Sequence, residues 1–278
     1  MNIQEALQWG QRQLGASPTA AADSRLLLQY VLAVSRSYLA AHGERPLTAP
    51  QVQRLAVLLA RAQQGEPVPY LTGRMPFYDL DFVVTPAVLI PRPETEQLVA
   101  AALAWAQETG ARALVDVGTG SGCIAVTLAR HLPHARVQAS DVAPAALAVA
   151  RHNARRHGVT ERITFHLGSL LEPVRGTPDL IVANLPYVAG DEWTVLDDGV
   201  KWYEPAGALR GGSDGLDLIR KLLRQARTRL RPGGAIFLEI GWRQGPAAQQ
   251  LACSIFPASR VTVKPDYAGH NRIVAIET

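Results

Sequence analysis

The sequence predicts an α/β protein: a largely parallel, Rossmann-like sheet of seven strands, preceded by a small bundle of helices. Three observations carry this. Residues 1 to about 64 place apolar side chains at helical spacing and contain no convincing strand. From Pro93 onward, short apolar runs alternate with helical patterns, as strands joined by crossover helices do. Within that region, Gly118-Thr119-Gly120-Ser121-Gly122 follows the apolar run Ala113–Val117 and opens the helical pattern Ile124–Leu128. That order reads as strand, tight turn, helix.

Taken in order, Ile3, Leu7 and Leu14 mark a first helix. Leu26, Leu27, Leu28, Val31 and Leu32 mark a second, and Leu55, Val57, Leu58 and Leu59 a third, with Gly43 and Pro46 breaking the chain between the last two. The breaker cluster Gly65-Glu66-Pro67-Val68-Pro69 follows, then residues 77–84, which read as a short hairpin or an extended linker. The domain boundary falls within residues 65–92, giving a helical domain 1–72, a hairpin or linker 73–92 and a sheet domain 93–278.

In the sheet domain Glu94 and Glu96 occupy the first turn of a helix running to Thr109, where acidic side chains suit the positive end of the dipole. Strands are expected at 112–117, 135–140, 163–167, 180–183 and 235–240. Pro144 opens a helix after the second of them. Helices are expected over 216–230, ending at Pro232-Gly233-Gly234, and over 245–256. The closing strands 260–263 and 272–276 are joined by too short a connection for a parallel crossover, so they pair antiparallel.

At 278 residues, with 47% hydrophobic and 19% charged residues, the chain has material for a large packed core. It opens without a basic segment followed by an apolar core, and no apolar stretch is long enough to span a membrane. Cys123 and Cys253 form no spaced cluster, so a reduced, cytoplasmic setting is expected. His131 and His134 have nothing nearby to complete a metal set, and no metal is expected. The net charge is only +4. Residues 1–75 hold seven basic and four acidic side chains (7 − 4 = +3), which leaves +1 for residues 76–278. So even a balance argues against direct nucleic-acid binding by the sheet domain.

Two motifs carry chemistry. Glycines 118, 120 and 122 let backbone approach a ligand closely. Position 123 is cysteine where a dinucleotide fingerprint needs glycine, which lowers the dehydrogenase reading. Asp141 ends the second strand, where a carboxylate accepts hydrogen bonds from ribose hydroxyls or, alternatively, caps the helix ahead of Pro144. Asp116 either receives a cationic ligand group or fixes the turn. The second motif is Asn184-Leu185-Pro186-Tyr187, at the carboxyl end of the strand 180–183 and 66 positions (184 − 118) beyond Gly118. Asn184 brings a carbonyl acceptor, the residue before proline is driven to extended geometry, and Tyr187 brings a flat face. Such a site suits an exocyclic amine or a planar amide, held through its N–H groups by the Asn184 side-chain oxygen and the Leu185 carbonyl. Glu239, ending the strand 235–240, stands near this edge, or serves only the core edge. Trp193 and Trp202 either flank a substrate mouth or anchor a loop.

These residues resemble the S-adenosylmethionine-dependent methyltransferases that modify planar nitrogens, which implies the seven-stranded methyltransferase sheet with antiparallel last strands. More narrowly, Leu89-Ile90-Pro91-Arg92-Pro93-Glu94-Thr95-Glu96 resembles the signature of the release-factor glutamine N5-methyltransferases. So do Gly65-Glu66-Pro67 with Tyr70-Leu71-Thr72-Gly73, and Tyr203-Glu204-Pro205 with Asp214-Gly215-Leu216. The resemblance spans nearly the whole chain, and the sister family acting on a ribosomal-protein glutamine differs over residues 91–96.

The resemblance implies methylation of the glutamine in the Gly-Gly-Gln motif of class I release factors, with S-adenosylhomocysteine as by-product. It implies cofactor binding by Gly118, Thr119, Gly120, Ser121, Gly122, Asp141, Leu170 and Asn184, and gives Asn184, Leu185, Pro186 and Tyr187 the glutamine side chain. Of these, Asn184, Pro186 and Tyr187 are the expected catalytic residues, and the helical domain is expected to grip the release factor. Two departures stand out. The family pattern is N-P-P-Y, and Leu185 replaces its first proline, keeping the carbonyl but not the fixed φ. Gly168-Ser169-Leu170 stands where relatives place an acidic and an aromatic residue near adenine. The alternative substrates are an amino group of RNA or DNA bases, or a ribosomal-protein glutamine.

Overall fold

The computed structural model describes residues 1–15, 17–195 and 198–278. It divides into two compact units: Met1–Arg74 with the helix Asp198–Tyr203, and the remainder.

The first unit is helical. α1 (Ile3–Gln13) starts at a capping box, in which the Asn2 side chain accepts from the Glu5 backbone and the Glu5 side chain accepts from the Asn2 backbone. α2 (Ala20–Leu32), α3 (Arg36–Ala41), α4 (Ala49–Gln63, capped likewise by Thr48 and Gln51) and α5 (Val68–Thr72) follow. Ile3, Leu27, Leu28, Leu39, Leu55 and Leu59 form its core. Each such side chain contributes about 1.5–3 kcal/mol by leaving water.

In the second unit β1 (Arg74–Phe77) and β2 (Leu80–Val83) pair as a hairpin, and α6 (Pro93–Thr109) follows. Phe77 and Phe82 are fully buried in the same cluster as Leu98, Val99 and Leu128. The main sheet then alternates with helices: β3 (Ala113–Val117), α7 (Cys123–His131), β4 (Arg136–Asp141), α8 (Pro144–Arg156), β5 (Ile163–Leu167) and β6 (Leu180–Ala183). Short helices α9 (Glu192–Val195) and α10 (Asp198–Tyr203) precede α11 (Asp217–Ala226), β7 (Ala235–Glu239), α12 (Gly245–Ile255), β8 (Arg260–Pro265) and β9 (Asn271–Glu277).

The strand order is β5-β4-β3-β6-β7-β9-β8. Five strands run parallel, and β9 lies antiparallel between β7 and β8. The order reverses beside β3, between β4 and β6, so the carboxyl ends of these three strands open the crevice where such sheets bind ligands. Side chains of β3 face two cores. Leu114 points to the cluster with α6 and α7, and Val115 and Val117 to the cluster with α11 and α12. Among the described residues no helix is long and apolar enough to cross a membrane.

Candidate active site

β3 ends in the glycine turn. Gly118, Gly120 and Gly122 take φ of +74°, +53° and +80°, which side chains rarely adopt. The backbone N–H groups of Gly118 and Thr119 both donate to the Ser140 carbonyl, at 2.9 and 3.0 Å, tying the turn to β4. Below it Asp116 is fully buried, and its Oδ2 accepts from Thr119 Oγ1 (2.6 Å) and the Ala125 N–H (3.1 Å). Asp116 thus fixes the turn, the second of its two expected roles. Burial pushes its carboxyl up to about 7, and its Oδ1 has no hydrogen-bond partner.

Asp141, ending β4, accepts from the Gly120 N–H through Oδ2 and from the Ala143 N–H through Oδ1, both at 2.9 Å. The N-cap of α8 is Ala143, so Asp141 does not cap that helix. Leu170 is buried in the left-handed region, at φ +49°, and its carbonyl accepts from Ser140 Oγ at 2.7 Å. These groups line a cavity of about 250 Å³ at the carboxyl edge of the sheet.

The opposite wall is the segment after β6. Asn184, Leu185 and Pro186 line the same cavity, together with Leu89, Pro91, Arg92 and Thr95. The buried Leu185 side chain packs on the glycine turn: a Cβ added at Gly118 would lie 3.0 Å from Leu185 Cδ2. Asn184 Nδ2 donates to Thr95 Oγ1 at 3.0 Å, and Thr95 Oγ1 donates to Glu239 Oε2 at 2.6 Å. Tyr187 Oη donates to Glu239 Oε1 over a longer 3.4 Å. Glu239 is 1% exposed, and burial pushes its carboxyl up to about 7. Burial likewise raises the Tyr187 phenol.

One cavity therefore brings together Gly118, Thr119, Gly120, Ser121, Asp141, Leu170, Asn184, Leu185 and Pro186. Gly122 and Tyr187 are not among its lining residues. Gly122 meets α8, where an added Cβ would stand 3.0 Å from the Ala150 Cβ. Tyr187 packs beside Gly241, where an added Cβ would stand 3.5 Å from its Cδ2, and presents its hydroxyl to Glu239. His131 pairs with Asp79 at 3.0 Å, and Trp193 lies under the Arg210 guanidinium. Among the described residues no group of three His, Cys, Asp or Glu side chains is placed to hold a metal ion.

The signature residues acquire physical tasks. Arg92 pairs with the buried Glu204 at 2.5 Å, and Glu204 also accepts from the Ile90 N–H at 3.2 Å. Gly215 allows the chain to pass the clamp, since an added Cβ would lie 2.2 Å from the Tyr187 carbonyl. The motif reading missed Thr95 and Asn153. Asn153, fully buried in α8, donates to the carbonyls of Val83 and Ser121, both at 2.9 Å, and accepts from the Val83 N–H. Nothing local marks it, because an asparagine inside an amphipathic helix reads as a polar-face residue.

Parallel strands, a glycine turn after the first of them and a cavity at the strand-order reversal mark a Rossmann-like nucleoside-binding sheet, and the antiparallel β9 set between β7 and β8 gives it the seven-stranded arrangement of the methyltransferase class. Comparisons with known proteins agree. A PrmC N-terminal domain model matches residues 5–73, and a methyltransferase small domain model matches residues 96–210. The release factor glutamine methyltransferase of Moorella thermoacetica is 42% identical, over 98% of this chain and 97% of that protein. Its counterpart from Koribacter versatilis is 39% identical, over 99% and 98%. A methyltransferase structure from Pyrococcus furiosus shares the fold, with a TM-score of 0.52 at 20% identity, over 78% of this chain and 95% of that one. The chain belongs to the family of release factor glutamine methyltransferases.

Proposed function

We propose that the protein transfers a methyl group from S-adenosylmethionine to the side-chain amide nitrogen (N5) of the glutamine in the Gly-Gly-Gln motif of class I peptide chain release factors, in the cytoplasm. The observation that carries this reading is the shared cavity, with the glycine turn and Asp141 on one side and Asn184–Pro186 on the other. Near-full-length similarity to proteins named for that activity supports the substrate.

The residues present fit such a cofactor. Backbone at Gly118 and Gly120 is bare of side chains, and Asp141 retains acceptor capacity on both oxygens beyond its two backbone partners. Ser121 Oγ is buried at the cavity wall with no hydrogen-bond partner, so a ligand's polar atom would complete it. Gly118, Thr119, Gly120, Ser121, Asp141 and Leu170 would hold the cofactor, which supplies an electrophilic methyl on a sulfonium.

The amide nitrogen of glutamine is a poor nucleophile because its lone pair is delocalised. With Nδ2 committed to Thr95, Asn184 has its carbonyl oxygen left to offer the cavity. That oxygen and the Leu185 carbonyl accept the two N–H bonds of the substrate amide, orient its nitrogen and offset the positive charge growing on it. One N–H proton then leaves to water, since an alkylated amide nitrogen is strongly acidic. No metal is needed for these tasks. The segment 1–72 is the proposed recognition module for the folded release factor, joined through 73–92 to the catalytic domain 93–278.

The test is transfer of a labelled methyl group to a purified release factor. Label should appear on the intact factor and vanish when its Gly-Gly-Gln glutamine is replaced. Labelling of ribosomal RNA, DNA or a ribosomal protein instead would defeat the assignment.

A further inference from the structure

We propose that Thr95 and Glu239 are positioning residues that fix the polarity of Asn184, so that its carbonyl rather than its NH2 group faces the substrate amide. The inference rests on the reading of Asn184 as the amide clamp and extends it to two side chains that need not touch substrate.

The geometry supplies a one-way chain of hydrogen bonds. A carboxylate only accepts, so ionised Glu239 takes the Thr95 hydroxyl proton on Oε2 and the Tyr187 hydroxyl proton on Oε1. With its proton spent on Glu239, Thr95 Oγ1 can only accept from the Asn184 side chain, whose one donor atom is Nδ2. The opposite amide orientation would set two acceptors against each other across 3.0 Å. A neutral Glu239 loses this direction. It can donate to Thr95, which then donates to Asn184 and turns the NH2 group towards the substrate, whose own NH2 needs an acceptor.

The surroundings bear on that charge. Thr95 and Glu94 face Glu239 from α6, Tyr187 from the segment after β6, Arg272 from β9 and Cys123 from α7. Burial dominates and disfavours the charge, while Thr95, Arg272 and Tyr187 favour it. Ionisation then falls near neutrality, with Glu239 raised to about 7. Turnover should accordingly decline as pH falls through that value.

The experiment uses the full chain, a release factor as methyl acceptor and S-adenosylhomocysteine as binding probe. Thr95→Val should lower kcat about 10- to 100-fold, the loss expected for a hydrogen bond within a charged chain. Its affinity for the probe should stay within about threefold. Thr95→Ser, which keeps the hydroxyl, should recover most of the turnover. Glu239→Gln imitates the neutral acid, so its turnover should be low and flat between about pH 5.5 and 8.5, where the wild type rises. Wild-type kcat in Thr95→Val, equal damage in Thr95→Ser, parallel loss of probe affinity, or a retained acid limb in Glu239→Gln would each overturn the relay. Asn184→Ala separates the two levels of the argument. Undiminished turnover there overturns the clamp reading itself, whereas its loss beside a fully active Thr95→Val overturns only the relay.

Discussion

At the scale of single residues, the site divides by how far apart its partners lie in sequence. The glycine turn, Asp141 and Asn184–Pro186, which share the cavity, are each marked by local sequence with its own conformational chemistry, so their placement is legible directly. Thr95 and Asn184 are 89 positions apart, and Thr95 and Glu239 are 144 apart. No local pattern joins them. Leu185 is instructive in another way. Where the family pattern has proline, leucine fills space against Gly118, so contact with the cradle replaces part of the stiffness a ring would give.

The buried carboxyls make a prediction at this scale. Asp116 and Glu239 ordinarily titrate at 3.8 and 4.5, and burial raises both to about 7. Between these values the native state binds more protons than the unfolded chain, so their contribution is full below about pH 4 and is lost as pH rises through 7. Carboxyls held low, such as Asp79 through its hydrogen bond to His131 and Asp214 through the Leu216 N–H, act only below 3.8. The half-buried His166, held below 6.5 by burial and then by Arg175, works against the pair. The expected outcome is a urea midpoint that falls between pH 5 and 8, with each raised carboxyl contributing on the order of 3 kcal/mol. Asp116→Asn should remove its share of the slope; an unchanged slope would contradict the burial argument.

At the scale of elements, the strands were readable because a strand buried on both faces is an uninterrupted apolar run. The expected ranges 163–167 and 180–183 coincide with β5 and β6. Short helices were not. α3, α5, α9 and α10 have six residues or fewer, too few turns for a hydrophobic stripe to repeat. The expected helix 216–230 also stops early, at Ala226. There the N–H groups of Arg229 and Leu230 both donate to the Ala226 carbonyl, and the Arg229 side chain turns in to the carbonyls of Leu171 and Val174. Asn153 shows what an element can hide. It ties α8 to β2 and to the glycine turn through three hydrogen bonds with backbone. Asn153→Ala would take the side-chain partner from one buried and two part-buried backbone groups, and a loss of about 2–4 kcal/mol by denaturant titration is expected. Affinity for S-adenosylhomocysteine should fall with it, because the Ser121 carbonyl loses its anchor.

At the scale of the whole molecule, the sequence puts the boundary within residues 65–92, between helical and alternating patterns, and the compact units divide after Arg74, with Asp198–Tyr203 joining the first. The hairpin β1–β2 falls on the sheet side, its phenylalanines buried against α6 and α7. All proposed cofactor contacts lie in the sheet unit. Calorimetry with S-adenosylhomocysteine at about a hundred times its Kd should therefore stabilise that unit by about 2.7 kcal/mol, raising its midpoint by a few degrees. A transition belonging to the helical unit should stay where it is, and an equal shift in both would contradict the assignment of the site to one of them.

The place of β9 has a consequence for how the chain is made. Because β9 sits between β7 and β8, the outer edge of β7 stays bare and β8 has no partner until residues 271–277 leave the ribosome. A nascent or prematurely stopped polypeptide would thus display two sticky ribbons at once, inviting aggregation until the final strand zips them shut.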